Sequence, residues 1–280
     1  KIDTTTDYEI NTPPSQSATV EMMSFLIKRE VSDKMWTPNL PFIFPSYVLD
    51  NMPNFQLGLM SAVSNVSSSF AAKVDQTIAP EKELPLKTAA ELLKYPGTIW
   101  MFSPQNKLTP VPSANTQYKK ARKQLVAYNR SLREGGSVFY KSPGDLAYFL
   151  QRMSKDLWLS NEKLEAHIRE HSSDWVDNRS DDLFYYQQGK IYGYYLLMKA
   201  LSYDYKDIIL ANDIYQPWTQ MVKALEEAVV LSPAVVRNGE PDSTLAPNHL
   251  SSIGYYSLKA ALISQNMMCK LTLSAAQGKQ

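Results

Sequence analysis

Cysteine is almost missing from this sequence. Cys269 is the only one in 280 residues, which excludes an intramolecular disulfide framework and a metal site made of cysteine alone. Histidine is scarce too, and three residues leave few options for proton shuttling. Charge of either sign is not in excess: 29 Lys and Arg stand against 28 Asp and Glu. A general nucleic-acid or anionic-membrane binder is therefore disfavoured. No apolar run approaches the roughly 20 residues that cross a bilayer. A Gly-x-Ser-x-Gly elbow, a phosphate loop and a dinucleotide fingerprint are likewise absent, so catalysis of those kinds has no support.

What is present is helix-forming pattern. Ser17 reads as the N-cap of a helix through about Val31, with Val20, Met23, Ile27 and Val31 on one side. The stretch Pro45 to Met60 is the pivot of the chain, because a Pro-rich lead-in turns there into a long apolar helix. Pro53 fits only a first helical turn, and Asn51 is the natural N-cap. Downstream, Phe55, Leu59, Met60, Val63, Val66, Phe70 and Val74 recur at intervals of three and four, so that stripe is expected to be buried. From Pro80 to Pro112 prolines break the chain repeatedly, leaving a short helix at Leu86 to Tyr95 and an extended run Thr98 to Phe102.

Ser113 or Asn115 caps the next helix, whose stripe is Tyr118, Ala121, Leu125, Tyr128 and Leu132. Ser142-Pro143-Gly144-Asp145 is the sharpest start signal, a capping-box variant. Leu146, Leu150, Met153, Leu157, Leu164 and Ile168 follow, with one turn skipped at Asn161, and the two helices 115–133 and 143–170 are expected to pair antiparallel. Ser180-Asp181-Asp182 opens a helix rich in tyrosine, apolar on nearly every face and so central. Asp213 with Gln216 predicts a capping box for a helix to Leu231, Asn238-Gly239 a turn, and Asn248 a cap for the last helix. The fold class is all-α, a bundle of six or seven helices with a long Pro-rich irregular excursion. Residues 17–276 form a single helical domain, and residues 1–16 read as a polar, flexible tether.

Several constellations suggest chemistry. His167-Ile-Arg-Glu170-His171 matches H-x-x-E-H, in which two histidines one turn apart bind zinc and the glutamate acts as base. Its neighbours Glu162, Lys163, Glu165 and Arg169 make a solvated helix end the simpler reading, and no metal or other cofactor is expected. Lys119, Lys120, Arg122, Lys123, Arg130 and Arg133 form a basic face, read as ordinary solvated surface and not as a nucleic-acid site. The tyrosine helix is core first, with a ligand pocket near Tyr185 as the alternative. Asp50, Asn51 and Asn54, and Asn248 with His249, are polar groups beside apolar helix starts, where mutual capping competes with a binding role. Trp100, Met101 and Phe102 lie between prolines and could anchor a partner.

Four blocks also carry a resemblance. Leu49-Asp50-Asn51-Met52-Pro53-Asn54 followed by Phe55, Tyr118-Lys-Lys-Ala-Arg with Leu125 and Tyr128, Asp181-Asp182-Leu-Phe184-Tyr185 with Gly189, and Leu245-Ala-Pro-Asn248-His249 occur in that order. Together, across roughly Ser17 to Leu273, they resemble a family of uncharacterised proteobacterial proteins that usually carry an N-terminal membrane anchor. The chain opens on Lys1, and the resemblance implies that the missing piece is that anchor. It implies an address at the bacterial inner membrane with a periplasmic soluble domain, and another envelope protein as partner. The expected function is a non-enzymatic binding or scaffolding module. The alternatives are a hydrolase, either zinc-dependent or using Asp50, Asn248 and His249, and a small-ligand binder on the tyrosine helix.

Overall fold

The computed structural model describes residues 2–40, 51–74, 84–103, 106–171, 178–232 and 249–277. Among them are nine α-helices: α1 Ala18–Lys28, α2 Asn51–Val74, α3 Leu84–Leu93, α4 Ala114–Arg133, α5 Pro143–His171, α6 Asn178–Asp204, α7 Lys206–Ala211, α8 Tyr215–Val229 and α9 His249–Gln277. A π-helical turn, Arg29–Asp33, extends α1. One small antiparallel ribbon pairs β1, Phe102–Ser103, with β2, Asn106–Pro110. The protein is all-α, as its patterning predicts. The helix count exceeds six or seven partly because the chain breaks at Tyr205 and begins a separate six-residue α7.

Helix α6 is the axis. It is buried continuously from Gln187 to Met198, and α2 runs beside it in the same direction. Asn54 donates to Asp182 at 2.6 Å near one end, and Asn65 donates to the Tyr194 hydroxyl at 2.5 Å further along. The two backbones come this close because of glycine. A Cβ on Gly58 would run into the carbonyl of Tyr186, and one on Gly189 into the carbonyl of Phe55. The α2 stripe from Phe55 to Phe70 is buried as expected, while Val74 lies among residues whose side chains are not described.

The other helices cover this pair. Helix α4 turns its predicted stripe, Tyr118, Ala121, Leu125, Tyr128 and Leu132, into the core. It packs on α1 and α3. Helix α5 does not pair with α4: it lies antiparallel along α9, where Ser154 donates to the carbonyl of Ala261 at 3.1 Å. Periodicity specifies which face of α5 is apolar but not which helix receives it, and α9 brings the longer complementary face, including Leu250, Ile253, Ala260 and Ala261. The capping box is formed as read: Asp145 N–H donates to Ser142 Oγ at 3.1 Å, and Ser142 N–H returns a bond to Asp145 Oδ2 at 3.1 Å.

Helix α1 is held at its start from two sides. Asp204, at the end of α6, accepts from Ser17 Oγ at 2.8 Å, Ala18 N at 2.8 Å, Thr19 N at 3.0 Å and Thr19 Oγ1 at 2.7 Å. Asn129 of α4 bonds both the N–H and the carbonyl of Ser17, each at 3.0 Å. At the other end the π-turn tucks Arg29 and Glu30 inside, paired at 2.6 Å. The segment ahead of α1 has contacts of its own: Arg29 donates to the carbonyl of Asp3 at 2.9 Å, Tyr192 to that of Thr5 at 2.8 Å, and Tyr8 meets Phe25 edge-on.

The expected box at α8 is not formed. Asp213 adopts a left-handed backbone with φ 50° that ends α7, and buried Ile214 occupies the N-cap without a side-chain bond. Of the extended run, Thr98 to Met101 forms turns and bends instead. The turn at Asn238-Gly239 lies outside the described residues. No helix among them is long and apolar enough to cross a membrane.

Candidate binding cleft

Two helix stripes face each other across a cleft of about 540 Å³. Between Phe55 and Phe70, α2 is buried everywhere except at Leu57, Ser61, Ser64, Asn65 and Ser68. Those five positions line the cleft. Their spacing of three and four is that of one helix face, so α2 carries an apolar stripe into the core and a hydroxyl stripe into the opening. On α5, Arg152, Lys155, Asp156 and Leu159 repeat the same spacing and form the facing wall. The end of α3 closes one side with Lys94, Tyr95 and Gly97, and Tyr118 and Tyr186 complete the lining.

Asn65, Arg152 and Asp156 of the lining join a connected polar network that runs behind it to α6. Lys190 of α6 is buried and donates to Asp156 Oδ1 at 2.9 Å and to Ser160 Oγ at 2.9 Å. The other oxygen of Asp156 accepts from Tyr194 at 2.7 Å. Tyr194 accepts in turn from Asn65, whose Oδ1 takes a bond from Arg152 at 3.0 Å. Burial, and then the charge of Asp156, push the Tyr194 phenol well above its ordinary value, so it stays a neutral donor. A chain of this kind, in which Lys190 and Asp156 answer each other, fixes side-chain positions. The hydroxyls of Ser61, Ser64 and Ser68 in the lining have no hydrogen-bond partner among the described residues.

The residues singled out in the sequence are not gathered at this cleft. Asn51 is the first residue of α2 and not a preceding cap, so Pro53 remains in the first turn. Asn54 ties α2 to Asp182. Tyr185 stacks edge-on against Phe184, and burial followed by the charge of Asp181 raises its phenol pKa. His249 begins α9, far along the chain from Asn54 and partly buried. Asp50 and Asn248 lie outside the described residues, as does the side chain of Phe102. Trp100 is 50% exposed and Met101 40%, so this part of the excursion presents its apolar groups to solvent.

His167 corrects a sequence expectation. It is buried, not on a solvated helix end, with Nε2 3.3 Å from Ser180 Oγ at the start of α6. The polar residues around it misled because only one face of the α5 end is covered. Among the described residues no cluster of three or more His, Cys, Asp or Glu side chains is arranged to hold a metal ion.

The sequence analysis does not identify the cleft, whose signal is nonetheless in the chain: Ser61, Ser64, Asn65 and Ser68 recur at three and four like the apolar stripe, on the helix face beside it.

The fold and cleft thus define an all-α protein with a cleft of mixed polar and apolar lining between long helices. Residues 159–269, from the second half of α5 into α9, match a family described as an uncharacterized protein conserved in bacteria (DUF2333). That match includes the Asp181–Tyr185 and Leu245–His249 blocks and stops short of Asn54 and Tyr118. No curated protein and no solved structure is significantly similar.

Proposed function

We propose that this protein is a non-enzymatic binding module, and that the cleft between α2 and α5 is where it binds. The observation that carries this reading is the pairing of a buried polar network behind the cleft with half-buried serine hydroxyls that line it and have no partner among the described residues. Binding sites are concave, pre-formed and equipped with a few convergent polar groups. This network supports binding over catalysis: Lys190, Asp156 and Tyr194 spend their charges and protons on one another, which holds shape. We place the module in the bacterial cell envelope, attached through an N-terminal anchor, on the strength of the resemblance carried by Leu49–Phe55.

A protein contact through Trp100 and Met101 is a second reading, favoured by their exposure. Rigid aromatic anchors of this kind dominate interface energetics. In-cell photocrosslinking separates the two. A photoreactive residue at Leu159 should capture a small molecule, while one at Trp100 should capture an envelope protein. If Leu159 yields nothing above a control at Leu210, an exposed residue that does not line the cleft, the cleft reading fails. In the same experiment Trp100→Ala should leave the melting temperature unchanged and weaken recovery of the protein partner, and unchanged recovery would remove the second reading.

A further inference from the structure

The chemistry of the cleft specifies a class of ligand. We propose that it takes an anionic saccharide, a sugar ring bearing a carboxylate or a phosphate. This rests on the cleft being the binding site.

Three features converge on that class. The first is hydroxyl complementarity. Ser61, Ser64 and Ser68 form a ladder one helical turn apart, half-buried and without partners among the described residues. A serine hydroxyl both donates and accepts, as a sugar hydroxyl does, so each serine can bond whichever way the ring presents itself. An apolar ligand would strip water from these groups and return nothing.

The second is charge. Among the described residues Asp156 is the only acid lining the cleft, and it is already answered by buried Lys190 and by Tyr194. Lys155 has no hydrogen-bond or ion-pair partner among the described residues, and Arg152 gives one nitrogen to Asn65 and keeps the rest of its fork. Lys94 stands at the rim, paired with Glu91 at 2.5 Å. In a chain whose net charge is +1, this local excess of cation draws an anion to this opening.

The third is size and shape. A volume of about 540 Å³ suits a small organic molecule. Tyr186, with Lys190 Nζ 5.3 Å from its ring centroid, puts an aromatic residue in the lining, a group suited to packing beside a sugar ring.

The test is calorimetric titration of the whole chain with four probes: glucuronic acid, a hexose monophosphate, glucose and inorganic phosphate. At least one of the two acidic sugars should bind saturably and about tenfold or more tighter than glucose or inorganic phosphate. Preference between the two tells which anion Arg152 and Lys155 receive. The affinity should fall with added salt, and by about tenfold in Lys155→Ala and again in Ser64→Ala, with both variants keeping the wild-type melting temperature.

Equal binding of glucose and the acidic sugars overturns the proposal, as does binding that Lys155→Ala leaves unchanged. Failure of both acidic sugars also overturns it. The Leu159 crosslink then decides what else falls: a captured small molecule keeps the cleft and rejects only the ligand class, while no capture rejects both.

Discussion

Gly58 shows how tightly single positions are specified. The carbonyl of Tyr186 occupies the space a Cβ would need, and backbone cannot step aside as a side-chain tip can. Gly58→Ala should therefore destabilise the protein by about 2–3 kcal/mol through overpacking, read as a shift in the urea midpoint. A loss under half a kcal/mol would mean that α2 and α6 are not in such close contact. Asp204 supports a second residue-scale prediction. Burial raises its carboxyl above the ordinary aspartate value, although Thr19, Ser17 and Ala18 donate to it. A carboxyl whose pKa is higher folded than unfolded contributes stability that is full below the unfolded value, about 4, and is lost as pH rises through the folded value. The stability of wild type minus that of Asp204→Asn should thus decline between about pH 4 and pH 7. Urea denaturation at both pH values measures it, and a difference that grows with pH would show that the donors outweigh burial.

Among elements, those encoded locally were legible and those depending on distant partners were not. The Ser142–Asp145 start is a contact between residues three apart, so its sequence pattern is the structure. Ser142→Ala should cost about 1 kcal/mol, measured by thermal or urea unfolding. No loss would mean that α5 is held at its start by packing alone. The apolar stripes of α2 and α4 were read correctly for the same reason, since burial of one helix face follows from period alone. The partner of α5 is set by α9, about a hundred positions downstream, and no local signal names it. Asp213 had the residue type and spacing of a cap, but its backbone went left-handed to close α7. The cleft was half legible: both walls are written at helical spacing, yet only the fold shows that Ser64 and Arg152 face a shared opening.

For the molecule as a whole, the long helices α2, α5, α6 and α9 make a frame beside which the cleft opens. The polar network behind the cleft ties three of them together: Asn65 from α2, Asp156 and Ser160 from α5, and Lys190 and Tyr194 from α6. The segment matching a bacterial family supplies the end of α5, all of α6, α7 and α8 and most of α9, while the hydroxyl wall belongs to α2, outside that match. The occupant proposed for the space between these walls is a small molecule, and the most direct measurement of it is maleimide labelling of Leu159→Cys in a background where exposed Cys269 is replaced by serine. In purified protein, the small-molecule fraction of a bacterial extract should slow labelling at Leu159→Cys and leave a control Leu210→Cys, exposed and away from the cleft, unaffected. Equal labelling rates at Leu159→Cys with and without that fraction would contradict a bound molecule there.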